Sequence, residues 1–182
     1  MSEAAAGKAV EIWFQDVARL GQKNDQVRQW ARKGTRPRQP ADQRYHNAYL
    51  FGAICPAAGK GAALMMPKAN AHAMQAHLDE ISLTVAHDAH AALLMDRAGW
   101  HTTGKLKVPN NITIVLLPSR APELNPMENV WQFMRHNWLS NRVFETYTDI
   151  LDAGSVAWNR LIAQPETITS IGSRQWANIG HS

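Results

Sequence analysis

The sequence predicts an α/β protein whose sheet has five strands, part antiparallel and part parallel, flanked by helices. Three observations carry that prediction. Strand-like segments come three in a row near the start, the second and third separated by a short turn. Two uninterrupted apolar runs, Ala91–Met95 and Ile112–Leu117, follow later, and such runs suit strands covered on both faces, as parallel pairing requires. Between and after these runs, apolar residues recur at helical spacing.

Val10 to Asp16 reads as the first strand, with Val10, Ile12, Phe14 and Asp16 on one face, so that Asp16 ends its apolar face. Residues 21–44, rich in Gly, Pro and Arg, read mostly as a loop. Tyr45 to Ile54 is a second strand, Pro56 to Lys60 a turn, and Gly61 to Met66 the returning third strand of a meander. Asn70 is placed to cap a helix in which Met74, Leu78, Ile81 and Val85 share a face. The run Ala91–Met95 stops at Asp96, and Ile112–Leu117 is closed by Pro118. Asn125 then reads as a helix cap with Pro126 at the first helical position, and Met127, Val130, Trp131, Met134 and Trp138 form the stripe of that helix. A last helix starts near Thr148 with Ile150, Leu151, Gly154, Ala157, Trp158 and Leu161 on one face, and no pattern follows Gln164.

With 182 residues, 45% hydrophobic and 19% charged, the chain is long and apolar enough to bury a core, and it reads as one domain. No apolar stretch approaches the roughly 18 residues that span a bilayer, and Met1 to Val10 lacks the apolar core of a secretory signal. Cys55 is the only cysteine, so an internal disulfide is excluded and a reducing cytoplasm is the expected location. The net charge of +4 is compatible with a polyanionic partner. Its distribution says more: Arg28, Arg32, Lys33, Arg36, Arg38 and Arg44 are opposed within their segment only by Asp42. That segment is either a solvated basic loop or a set of phosphate contacts whose DNA affinity would fall with salt.

Two acids, Asp16 and Asp96, each close an apolar strand, and a third, Glu128, opens a helix. If the two strands are parallel neighbours, their carboxyl ends meet where open α/β sheets commonly bind ligands. Moving a phosphodiester needs an activated nucleophile and a stabilised leaving oxygen, which two metal ions about 3.5–4 Å apart supply. Magnesium prefers carboxylate oxygens, and three acids, one of them shared, would hold such a pair. The plainer reading stands beside it. Asp16 and Asp96 are residues that favour turns, and Asn125 followed three residues later by Glu128 resembles a capping box.

Trp13-Phe14-Gln15-Asp16, Asp96-Arg97-Ala98-Gly99-Trp100-His101 and Ser119-Arg120-Ala121-Pro122-Glu123-Leu124-Asn125-Pro126-Met127-Glu128-Asn129-Val130-Trp131 resemble the three acid motifs of the DDE transposases of the mariner-like superfamily. Within it they are similar to the bacterial insertion-sequence branch often called the six-thirty family, whose third motif reads SPELNPxENxW. Arg120-Ala121 stands where that branch usually has Tyr-Ser, and Val17 where the first motif often has Glu. Phe51-Gly52-Ala53, Val108-Pro109-Asn110-Asn111-Ile112 and the Gly34 to Pro37 region also match, so the resemblance covers roughly residues 10–160. It implies a ribonuclease H-like catalytic domain with a core of about residues 10–164 and Asp16, Asp96 and Glu128 as a catalytic, metal-binding triad. It further implies two Mg2+ ions, with Mn2+ as substitute, and double-stranded DNA as partner, both transposon ends and target. Cleavage at the ends would be followed by attack of the freed 3′-hydroxyl on a target, usually at TA, by a homodimer in the active complex. His101 and Asn125 are expected to support the site, and Arg32, Lys33, Arg36 and Arg38 to touch DNA. The helix-turn-helix region that such transposases carry ahead of the first acid is expected to be absent, because that acid lies at position 16.

His87, Asp88 and His90 cluster in sequence, with His72 and His77 upstream, but they lack zinc-site spacing and read as polar loop and helix-surface residues. Two other functions remain open from sequence: a non-catalytic transposase remnant that binds DNA or transposase as a regulator, and another ribonuclease H-like nuclease acting on structured or hybrid nucleic acid.

Overall fold

The computed structural model describes residues 7–21, 46–97, 106–118, 122–140 and 142–174. Five strands form one sheet: β1 (Ala9–Gly21), β2 (Asn47–Cys55), β3 (Lys60–Met66), β4 (Ala89–Met95) and β5 (Ile112–Leu116), in the order β3-β2-β1-β4-β5. β1, β2 and β3 pair antiparallel, whereas β4 joins β1, and β5 joins β4, in parallel. The expected meander and the two parallel strands are both present. The helix α1 (Ala71–Thr84) lies between β3 and β4 in sequence, and α2 (Met127–Met134), α3 (Tyr147–Ile162) and α4 (Pro165–Gly172) follow β5.

Strand alternation divides the core into two clusters. On one face Trp13, Phe51, Leu93 and Met95 pack against Met74, Leu78 and Ile81 of α1. On the other, Phe14, Leu50 and Ile54 pack against Val130, Trp131, Ile150, Trp158 and Ile168 of α2, α3 and α4. The molecule is therefore three layers, helix on sheet on helices.

β1 does not end at Asp16. It runs on to Gly21, because β2 supplies antiparallel backbone partners for every residue from Phe14 to Gly21. The first half of β1 pairs with β4, in register from Ala9↔Ala89 to Phe14↔Leu94. A charge on the apolar face looked like a strand end, but backbone pairing sets the length of the strand. β4 is covered on both faces as its apolar run implies, with six of its seven residues buried. β5 is not: it lies at the sheet edge, and Val115 and Leu116 are exposed.

The third-motif helix also differs in detail. The backbone at Pro126 is already helical, and the helix proper starts at Met127. After Met134 it continues as a π-helical turn, Arg135–Leu139. A π turn spends an extra residue per turn, so Leu139 takes the buried position, and Trp138 is half-buried edge-on against Phe133, ring centres 5.3 Å apart. α3 starts with a reciprocal capping box, in which Thr146 accepts from the backbone of Asp149 and the Asp149 carboxylate accepts from the backbone of Thr146. α4 has no counterpart in the sequence reading. It is short, its inward residues are few, and its hydroxyl at Thr169 bonds the carbonyl of Pro56 at 2.7 Å. Among the described residues no helix is long and apolar enough to cross a membrane.

Two histidines overturn their surface assignment. His77 lies on the inward face of α1, on the same turn as Met74 and Leu78, with its ring edge-on to Phe51 at 5.9 Å. His90 is buried in β4, its Nε2 2.8 Å from the Thr113 hydroxyl. Helical spacing from Met74 and adjacency to the buried run at Ala91 were the signals that pointed inward.

Candidate active site

Parallel register brings the first two acids together. Phe14 and Leu94 are the last paired positions of β1 and β4, and Asp16 and Asp96 each lie two residues further along the same direction. They therefore occupy equivalent positions on neighbouring strands at the carboxyl end of β4. Asp96 is exposed just past its strand, whereas Asp16 is half-buried, held in the sheet opposite Gly52 of β2.

The third acid is delivered by α2, which is fastened to β1 at two adjacent residues, Gln15 and Asp16. The Asn125 amide donates to the carbonyl of Gln15 at 3.0 Å while its oxygen accepts from the backbone N–H of Met127 at 3.1 Å. One side chain thus satisfies an orphan donor at the helix start and docks that start on the strand beside Asp16. The second point is Trp131, whose indole N–H donates to Asp16 Oδ2 at 2.9 Å. Glu128 lies in the first turn of α2 between them. Asp16 and Glu128 line the same cavity, about 280 Å³, together with Trp131, Met134 and Arg135.

Electrostatics reports the same convergence. Burial pushes the Asp16 carboxyl above its ordinary value of 3.8. The Trp131 indole and the Val17 backbone N–H pull it back, and the charges of Asp96 and Glu128 push it up again. Each of the other two acids is thus near enough for Asp16 to feel. Even so, among the described residues no three histidine, cysteine, aspartate or glutamate side chains stand close enough together to hold a metal ion. The Glu128 carboxylate is turned along its own helix, accepting from Gln132 at 3.3 Å and pairing with Arg135 at 3.6 Å. It does not close the capping box that its spacing from Asn125 suggested. Charge coupling acts over longer distances than ligation, so the two observations agree: Asp96 and Glu128 are near enough to act on Asp16 without being drawn tight around it.

Of the other expected site residues, Asn125 is placed beside Asp16 as described. His101, Arg32, Lys33, Arg36 and Arg38 lie outside the described residues. Sequence reasoning placed Trp131 in the hydrophobic core and missed its bond to Asp16; an indole is a packing residue and a hydrogen-bond donor at once.

A mixed five-stranded sheet with one acid inside the central strand, a second just past the end of its parallel neighbour, and a third on a helix docked against them, fits the ribonuclease H-like class of fold. The chain belongs to the DDE superfamily endonucleases, whose family model matches residues 11–151. It is 60% identical over 131 residues to the protein y4pE/y4sA of Sinorhizobium fredii, an alignment covering 72% of this chain and 97% of that protein. Its fold is that of the Mos1 mariner paired-end complex with Mn, with a TM-score of 0.61 at 16% identity over 90% of this chain and 56% of that one. The Mos1 paired-end complex with Mg gives a TM-score of 0.59 at 15% identity, with the same coverage. A simian T-cell lymphotropic virus intasome in complex with PP2A regulatory subunit B56 gamma is similar at 13% identity, with a TM-score of 0.55 over 96% of this chain and 59% of that one. The chain thus spans little more than half the length of these solved structures. In family it is a DDE superfamily endonuclease domain, and in fold it matches the catalytic part of these structures.

Proposed function

We propose that this domain cuts and joins DNA, with Asp16, Asp96 and Glu128 as its catalytic, metal-holding carboxylates. The observation that carries the reading is the placement of the three acids: Asp16 and Asp96 each two residues beyond the last pair of the parallel β1–β4 ladder, and Glu128 lining one cavity with Asp16. The donor set fits the cation. All three side chains offer hard carboxylate oxygens, as magnesium prefers, with manganese as substitute, and the mutual repulsion felt at Asp16 is what a divalent cation relieves.

Bound there, a pair of such ions would supply an activated oxygen nucleophile and charge stabilisation at the leaving oxygen. The protein's part is to hold and orient. β1 holds Asp16 within the sheet, β4 delivers Asp96 just past its last residue, Asn125 fixes the start of α2, and Glu128 completes the set by leaving Gln132 and Arg135. That exchange is a rotamer change of an exposed side chain rather than a refolding.

The substrate is double-stranded DNA: hydrolysis at transposon ends, then attack of the 3′-hydroxyl on target DNA, at TA sites. We assign Arg32, Lys33, Arg36 and Arg38 to phosphate contacts and His101 to the support of Asp96, with a homodimer as the active unit and the bacterial cytoplasm, at the nucleoid, as the place of action. Residues 1–182 act as a single catalytic domain.

The test is nicking of a duplex that carries the element's ends, in magnesium, manganese or EDTA. Metal-dependent nicking that Asp96→Ala reduces at least about a thousandfold, in line with loss of a group on which transition-state stabilisation depends, is the expected outcome. Binding without cutting would instead identify a regulatory remnant, and preference for an RNA–DNA hybrid a different nuclease.

A further inference from the structure

Trp131 stands one helical turn beyond Glu128, so a single element, α2, carries both an acid and the donor that grips a second acid. The indole is nearly fully buried and packs against Trp158 with ring centres 6.2 Å apart, so its direction is fixed. Room for it is made by Gly52, the residue paired with Asp16 across β1 and β2. A Cβ at Gly52 would lie 2.5 Å from Trp131 Cη2 and 3.0 Å from Trp158 Cζ3. A glycine opposite Asp16, an indole lying over that glycine and a hydrogen bond from the indole to the carboxylate form one arrangement. A tryptophan that served packing alone would need the space at Gly52 but not the bond to the acid.

We propose that Trp131 is a positioning residue for the metal-holding site: its N–H anchors Oδ2 of Asp16 and sets the plane of that carboxylate before a divalent cation arrives. The proposal rests on the assignment of Asp16, Asp96 and Glu128 as the metal-holding acids. Because Trp131 and Glu128 share a helix, the same contact ties the placement of the third acid to the orientation of the first. Partners that orient a metal ligand without touching the metal typically contribute about 10–100-fold in affinity.

Mn2+ binding to the protein without DNA, followed by electron paramagnetic resonance, separates the two ideas. Wild-type protein is expected to bind Mn2+, Asp16→Asn to lose that binding, and Trp131→Phe, which keeps a ring and lacks the donor, to bind about tenfold more weakly or worse. Equal affinity in wild type and Trp131→Phe would overturn the positioning role and leave the acid site standing; no binding by wild type would overturn both. A second measurement needs no change at Trp131. Its indole N–H resonance, assigned in the wild-type protein, is expected to shift on Mg2+ addition and in Asp16→Asn. A resonance indifferent to both would refute the proposal even where Trp131→Phe fails to fold.

Discussion

At Asp16 the protein keeps a carboxylate where burial opposes its charge, and two further acids add to the opposition. The raised pKa has a defined consequence for stability. The folded state holds this proton more tightly than the unfolded chain, so the stability contributed by Asp16 is fully present below pH 3.8 and is lost as pH rises through the raised value. Asp16→Asn removes the charge and keeps an oxygen to accept from Trp131. It is expected to raise the thermal midpoint at pH 7, with a gain that shrinks toward zero below pH 3.8. Melting curves of both proteins across that range check this; a variant less stable than wild type at neutral pH would show that Asp16 is not held under electrostatic stress. Stability given up at one residue in this way is the usual mark of a site kept for chemistry.

At the scale of the element, α2 is the hinge between fold and site. Its inward stripe is conventional packing, but its start is fixed by Asn125, which bonds β1 at Gln15 and the helix at Met127. Asn125→Ala removes both bonds and leaves the Gln15 carbonyl short of a partner. A loss of about 1–3 kcal/mol is expected, measured by urea unfolding, together with a fall in nicking rate, because Glu128 loses its fixed origin. An unchanged unfolding midpoint would mean that α2 is held by packing alone. The π turn that follows α2 keeps the chain buried at Leu139 where an unbroken α-helix would have buried Trp138. Helical periodicity holds only while the turn length holds, which is why the sequence misassigned that position.

At the scale of the whole molecule, the three acids come from a central strand, its parallel neighbour and a helix on one face of the sheet, so a cation bound among them would cross-link layers. Magnesium at about a hundred times its dissociation constant would add about 2.7 kcal/mol to stability, which for a chain of this size is about 5–10 °C in midpoint. Differential scanning fluorimetry with magnesium and with EDTA is expected to show that shift in wild type and not in Asp16→Asn. A wild-type midpoint indifferent to magnesium would count against the cation site. The sequence by itself determined the five strands and three of the four α-helices found among the described residues, since alternation, apolar runs and caps are local signals, and its resemblance to the family's motifs singled out the three acids as candidates. It did not reveal the length of β1, the exposed edge at β5, the burial of His77 and His90, or the small helix α4. Each of these depends on a partner distant in the chain. The same holds for the site. That Asp16 lies just beyond the ladder that leads to Asp96, that Gly52 opposite it leaves space for an indole, and that Trp131 fills that space and bonds the carboxylate were decided only when β2, β4 and α2 closed around β1. Hydrogen bonds between residues more than a hundred positions apart leave no periodicity to read.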